Sequence, residues 1–162
     1  KGVSDVVRAS APLLRQRPEL RLLLAGEGPE ADPLKNLAAE LEISEQVWMP
    51  GHVADPLPYL AGLQVLVQAS PRETFSLVAM EAMSLQVPVV AYLRDGIPEV
   101  VEDGETGWLC SELDPQKLST RISYYLENER LRREHGENGR RRVESHFSWD
   151  VILPQWLELY GA

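Results

Sequence analysis

Three apolar runs of strand length, residues 20–25, 64–68 and 87–92, each pass into a loop rich in Gly, Pro, Ser or Asp, and stretches of helical spacing lie between them. Runs without polar alternation read as strands covered on both faces, and strands separated by helices imply an α/β fold with a doubly wound parallel sheet. Ligands of such sheets gather beyond the carboxyl ends of the strands. The segments GEG, PGHV, PRETFS and YLRDG all fall at those ends, so four loops are expected on one rim.

The rest of the chain fits this frame. Val3, Val6, Val7, Leu13 and Leu14 recur at helical spacing after Lys1 and Gly2, and Pro12 inside that helix is expected to kink or divide it. Residues 33–41 read as an amphipathic helix, 47–49 as a short strand, 55–62 as a short helix and 77–85 as a helix before the 87–92 strand. Asp95-Gly96-Ile97-Pro98-Glu99 suits another helix start, with Pro98 in the first turn and Glu99 near the positive dipole end. A last strand covers residues 108–110, and everything from Asp114 onward is helical. A doubly wound unit ordinarily opens on a strand, whereas this chain opens on a helix. The expectation is a Rossmann-like domain cut from a longer protein just after its first, central strand.

The segment 69–92 holds the densest chemistry. Glu73 stands in a polar loop after a strand, and Glu81, seven intervening residues later, stands inside a helix. Ser76 is the expected N-cap of that helix, and Ala79 occupies the place where a capping-box acid would sit. First-turn amides left free, at the positive end of the helix dipole, make an anion site with a carboxylate at its lip. A phosphate-bearing ligand whose hydroxyls are read by carboxylates would suit it.

Composition removes several alternatives. A chain of 162 residues is one domain by length, large enough to bury about 70% of its unfolded surface. Its net charge of −9 argues against nucleic acid as a partner. A single cysteine, Cys110, forms no internal disulfide, fits a reducing compartment, and reads as a small buried residue at a strand end. Three scattered histidines build no zinc site, no metal and no cofactor is expected, and no apolar run approaches a membrane span of about 20 residues. Arg130, Arg132, Arg133, Arg140, Arg141 and Arg142 are the one basic cluster. The spacings Glu129 to Arg133, Glu137 to Arg141 and Arg140 to Glu144 make a solvated helix face its default reading, with peripheral contact to an anionic membrane or partner as the second.

The string ETFSLVAMEAMSLQVPVVAYLRDGIPEVVEDGETGWL, supported by LLLAGEGPE, PGHV, VLVQAS and SWDVILPQWLELY, resembles the C-terminal domain of retaining glycosyltransferases of family 4, which have the two-domain GT-B fold. The resemblance covers essentially the whole chain. It implies that residues 1–147 are a nucleotide-sugar-binding Rossmann-like domain, and that 148–162 form a terminal helix packing back toward an N-terminal domain. It further implies a cytoplasmic, metal-independent hexosyltransferase moving a sugar from a nucleotide-sugar to an acceptor held by that N-terminal domain, with this piece inactive alone.

By the same resemblance, Glu73 is the catalytic carboxylate beside the donor sugar and Glu81 holds the ribose. Lys1 and the amides of Phe75, Ser76 and Leu77, with neighbouring Thr74, bind the diphosphate. Gly26 and Glu27 line the donor site, and Pro50, Gly51, His52 and Val53 lie near the base. Gln86 and Arg94-Asp95 depart from the family pattern: Gln86 stands where glycine is usual, and an Arg-Asp pair near the sugar end would alter donor choice or form a solvated pair. A nucleotide-sugar epimerase on the same fold and a noncatalytic binding module are the alternatives from other classes.

Overall fold

Helix α1 (Val3–Gln16) opens the computed structural model, which describes residues 1–161. Five strands follow: β1 (Leu22–Ala25), β2 (Val47–Gly51), β3 (Leu66–Gln68), β4 (Val89–Tyr92) and β5 (Gly107–Cys110). They alternate with α2 (Ala31–Glu40), α3 (Leu57–Ala61), α4 (Leu77–Ser84) and α5 (Ile97–Val100), and the chain closes with α6 (Pro115–Glu127), α7 (Glu129–His146) and α8 (Trp149–Tyr160). Every strand pairing is parallel, β1 with β2 and, separately, β3 with β4 with β5.

Helix α1 spans both sheets. Val6, Ala9 and Leu13 enter a cluster with Val90, Tyr92 and the α6 residues Leu118, Ile122 and Tyr125, while Val7, Ala11 and Leu14 pack with Leu34, Leu37 and Ile43. Each large aliphatic side chain removed from water there contributes about 1.5–3 kcal/mol. The helix is not divided at Pro12, which lies within it.

Strand β1 differs from expectation. Leu22, Leu23 and Leu24 are half-buried and Ala25 is exposed, whereas all four residues of β4 are buried. Strand β4 is hydrogen-bonded on both sides, whereas among the described residues β1 has β2 alone as its hydrogen-bonded neighbour. An unbroken apolar run marks a strand without saying how many neighbours cover it.

The C-terminal helices brace the back of the second sheet. A Cβ at Gly136 would lie 2.1 Å from the Gln86 carbonyl oxygen, and one at Gly139 3.2 Å from Met83 Cγ, so α7 lies directly against α4 and the turn that follows it. Buried His135 has its Nδ1 2.7 Å from the Tyr125 hydroxyl, and burial pushes its pKa down, favouring the neutral ring. Arg142 donates to the carbonyls of Glu99 and Val100 at 3.0 and 2.9 Å, closing the end of α5. Of the spaced ion pairs, Glu129–Arg133 and Arg140–Glu144 form, while Arg141 turns instead to Asn138. Cys110 is buried with its thiol pKa raised by that burial.

Gln86 carries a left-handed backbone, φ 62°, in the turn between α4 and β4. That conformation costs a side-chain-bearing residue about 1–2 kcal/mol, partly offset in glycine by its larger unfolded-state freedom. Gln86→Gly is therefore expected to stabilise the protein by about 0.5–1 kcal/mol, read as a rise in Tm by calorimetry. A fall in Tm would contradict this.

No residue of α8 is buried, and Trp149, Leu153, Trp156, Leu157 and Tyr160 are exposed. Among the described residues no helix is long and apolar enough to cross a membrane, and no group of three or more His, Cys, Asp or Glu side chains is placed to hold a metal ion.

Candidate functional site

At the carboxyl end of β3 the chain runs Gln68-Ala69-Ser70-Pro71-Arg72-Glu73 and turns into α4. Ser76 caps that helix: its Oγ accepts from the Ala79 amide at 3.2 Å, with no capping-box acid returning to it. The amides of Phe75, Ser76, Leu77 and Val78 find no protein acceptor among the described residues. They form the free donor set at the start of the helix, where its dipole favours an anion.

Glu73 is fixed from four directions. Its backbone amide donates to Asp95 Oδ2 at 3.2 Å, and its carbonyl accepts from the Gly96 amide at 2.9 Å. Its carboxylate Oε2 accepts from Gln68 Nε2 at 2.8 Å and lies 3.4 Å from Lys1 Nζ. The Glu73 side chain is only 12% exposed against 75% for Lys1, so the ammonium end of this pair remains largely in water and the carboxylate end does not.

Close approach holds this geometry at two glycines. A Cβ at Gly96 would stand 1.9 Å from the Thr74 carbonyl oxygen, so the loop after β4 presses on the segment after Glu73. Gly2, with φ 70°, leaves no room for a Cβ against the Ala69 carbonyl, and Ser70 Oγ donates to the Lys1 carbonyl at 3.4 Å. These contacts seat Lys1 beside the end of β3.

Glu81 lies one turn into α4 from Leu77, half-buried among Ala79, Met80, Ala82 and Met83. Its carboxylate has no hydrogen-bond or ionic partner among the described residues, although its backbone carbonyl accepts from Ser84 Oγ at 2.7 Å. Phe75, between Glu73 and the cap, meets Phe147 edge to face with ring centroids 5.8 Å apart.

A second cluster forms at the carboxyl ends of β1 and β2. The Gly26 amide donates to the Gly51 carbonyl at 2.8 Å, and the His52 amide donates to Glu27 Oε1 at 3.3 Å. Gly26 and Gly51 both have positive φ, 125° and 79°, which lets the two loops cross closely. Pro50 and Val53 flank this crossing, half-buried, while the His52 ring is exposed. No hydrogen bond joins this cluster to that of Glu73 among the described residues.

Gln68, Asp95 and Gly96 are additions to the residues expected from sequence. Gln68 carried a visible signal, a lone amide within the apolar run VLVQA. Of the two readings of the Arg94-Asp95 departure, the structure bears on the solvated pair, which is absent among the described residues. Asp95 hydrogen-bonds the Glu73 backbone, while Arg94 donates to the Ser111 carbonyl at 3.0 Å.

Residues 1–142 match the family described as glycosyl transferases group 1. The chain is 34% identical over 160 residues to N-acetyl-alpha-D-glucosaminyl L-malate synthase of Bacillus anthracis, which covers 99% of this chain and 42% of that protein. Among solved structures, sucrose-phosphate synthase from Thermosynechococcus elongatus superposes with a TM-score of 0.88 at 32% identity, over 99% of this chain and 41% of its own. Anabaena Alr3699/HepE in complex with UDP gives 0.86 at 25% identity, over 95% and 44%. The chain thus spans about two fifths of the length of these relatives.

Proposed function

The chain belongs to the group 1 glycosyl transferases, with the α/β architecture of the C-terminal half of a GT-B fold, and from that membership we propose that it is the donor-binding half of a retaining family 4 enzyme. One observation carries the reading: a half-buried carboxylate, Glu73, is held beside a cation and next in sequence to helix-start amides that are unpartnered among the described residues. A nucleotide-sugar needs that combination. Its diphosphate takes the amides of Phe75, Ser76 and Leu77 together with Lys1, which stabilise the leaving group as its charge grows. Glu73 accepts hydroxyls of the donor sugar and favours the positive charge developing at its ring.

The unpartnered Glu81 carboxylate takes the ribose hydroxyls, and the crossed loops of Gly26, Glu27 and Pro50 to Val53 face the base. Because Lys1 and the amides supply the positive charge the diphosphate requires, the reaction proceeds without a metal. The free, buried thiol of Cys110 suits a cytoplasmic setting. Residues 1–147 act as the donor domain, and the exposed apolar side chains of α8 return to the rest of the protein, which supplies the acceptor.

The experiment is calorimetric titration of the intact protein with nucleoside diphosphates, UDP first because HepE was solved with it, followed by turnover of the matching nucleotide-sugars. Saturable binding and a product with the donor's anomeric configuration are expected. No binding by any nucleoside diphosphate, or an inverted product, would overturn the reading. Glu81→Ala is expected to weaken nucleoside diphosphate binding by about 10- to 100-fold, the effect of losing hydrogen bonds to a charged group. An unchanged Kd would remove Glu81 from the ribose.

A further inference from the structure

We propose that Gln68 is a positioning residue that makes the Glu73 carboxylate a one-sided acceptor, with Oε2 held by the protein and Oε1 left for the donor sugar. The inference rests on the nucleotide-sugar reading above and goes beyond it. Gln68 is 9% exposed, at the last position of β3, and its side chain meets two polar partners. Its Oε1 accepts from Ser76 Oγ at 2.6 Å, and its Nε2 donates to Glu73 Oε2 at 2.8 Å.

The chemistry of the partners gives this chain one polarity. Ser76 Oγ already accepts from the Ala79 amide at 3.2 Å, and its single proton goes to Gln68 Oε1. An ionised Glu73 only accepts, so the other end of the amide must be the NH₂. Reversing the amide would face its oxygen toward a carboxylate and leave the Ser76 hydroxyl between two donors. The N-cap of α4 therefore fixes Gln68, and Gln68 fixes Glu73. The helix start that presents amides to a diphosphate and the acid beside the sugar share one buried hydrogen-bonded unit.

Lys1 reaches the same oxygen at 3.4 Å from an exposed position, which leaves Gln68 as the buried restraint. Glu73 Oε1 has no donor among the described residues. A carboxylate tethered through one oxygen presents the other along a fixed direction, and held geometry of this kind lowers the cost of reaching the transition state.

The test is a double-mutant cycle in the intact protein, using Gln68→Met, which keeps length and volume but removes both hydrogen bonds. Gln68→Met is expected to lower kcat by about tenfold or more, with nucleoside diphosphate Kd and donor KM within about twofold of wild type. In the Glu73→Gln background the same substitution is expected to cost less than about twofold, because the ionised acceptor it orients is gone. An equal loss in both backgrounds, or a Gln68→Met kcat within about twofold of wild type, would overturn the proposal. Should Gln68→Met not fold, judged by calorimetric Tm, Gln68→Asn carries the same expectations, since it keeps the amide and shortens its reach. If Glu73→Gln itself leaves turnover unchanged, Glu73 leaves the reaction and this proposal falls with it, while nucleoside diphosphate binding still decides the donor-site reading. If only the Gln68 substitution is silent, that reading stands and this one does not.

Discussion

Glu73→Gln in the intact protein is expected to lower kcat by about 10²–10³-fold while the fold and nucleoside diphosphate affinity stay near wild type. Removing one preorganised electrostatic partner of a transition state costs about 3 kcal/mol. The substitution is isosteric, and Gln68 Nε2 and Lys1 Nζ both converge on one oxygen of the side chain. An amide can turn its oxygen to those two donors, so the surrounding contacts survive. Its other end then becomes an NH₂, which neither accepts a sugar hydroxyl nor offsets positive charge on the ring. Steady-state kinetics with the donor that turns over, beside a calorimetric Tm, separate loss of chemistry from loss of fold. A variant that turns over at the wild-type rate would remove Glu73 from the reaction.

Gly96→Ala should damage the same site through the backbone. A Cβ placed 1.9 Å from the Thr74 carbonyl oxygen cannot be absorbed by a rotamer, because the obstructing atom is main chain. The two loops must separate by more than about 1 Å, near the displacement at which positioning losses reach about 100-fold. The bond from the Gly96 amide to the Glu73 carbonyl, 2.9 Å, and that from the Glu73 amide to Asp95, 3.2 Å, are the first to open. The expected result is a fall of about 100-fold in kcat/KM, with a stability loss of about 1–3 kcal/mol from overpacking. Gly62→Ala is the control, since its Cβ would meet only carbonyl oxygens at ordinary distances, 3.6 and 3.8 Å. If Gly96→Ala and Gly62→Ala behave alike, the loop contact has no part in the site.

Much of this arrangement can be read from local pattern. The apolar runs, the glycine loops and the Ser76 cap depend on neighbours within a few residues, and each is where its pattern places it. Tertiary accounting is less legible. An apolar run such as residues 20–25 does not reveal that β1 has a single hydrogen-bonded neighbour, because coverage is decided by strands elsewhere in the chain. Spacing alone likewise cannot tell that Arg142 serves the end of α5 while Arg140 pairs along its own helix. In the candidate site, Glu73 and Glu81 stand out through their surroundings in sequence. Of the partners that orient Glu73, Gln68 ends β3, while Asp95 and Gly96 reach it through the proximity of the loop between β4 and α5. Only the isolated polarity of Gln68 hints at its part.

The Phe75–Phe147 contact gives the C-terminal helix a mechanical standing. Helix α8 has no buried residue, while the ring just before it rests on the loop between Glu73 and the start of α4. Phe147 precedes α8 by two residues, so the way α8 is held and the position of the Phe75 loop share one aromatic contact. A partner that seats the exposed apolar side chains of α8 would thereby meet the Glu73 segment through Phe147 and Phe75.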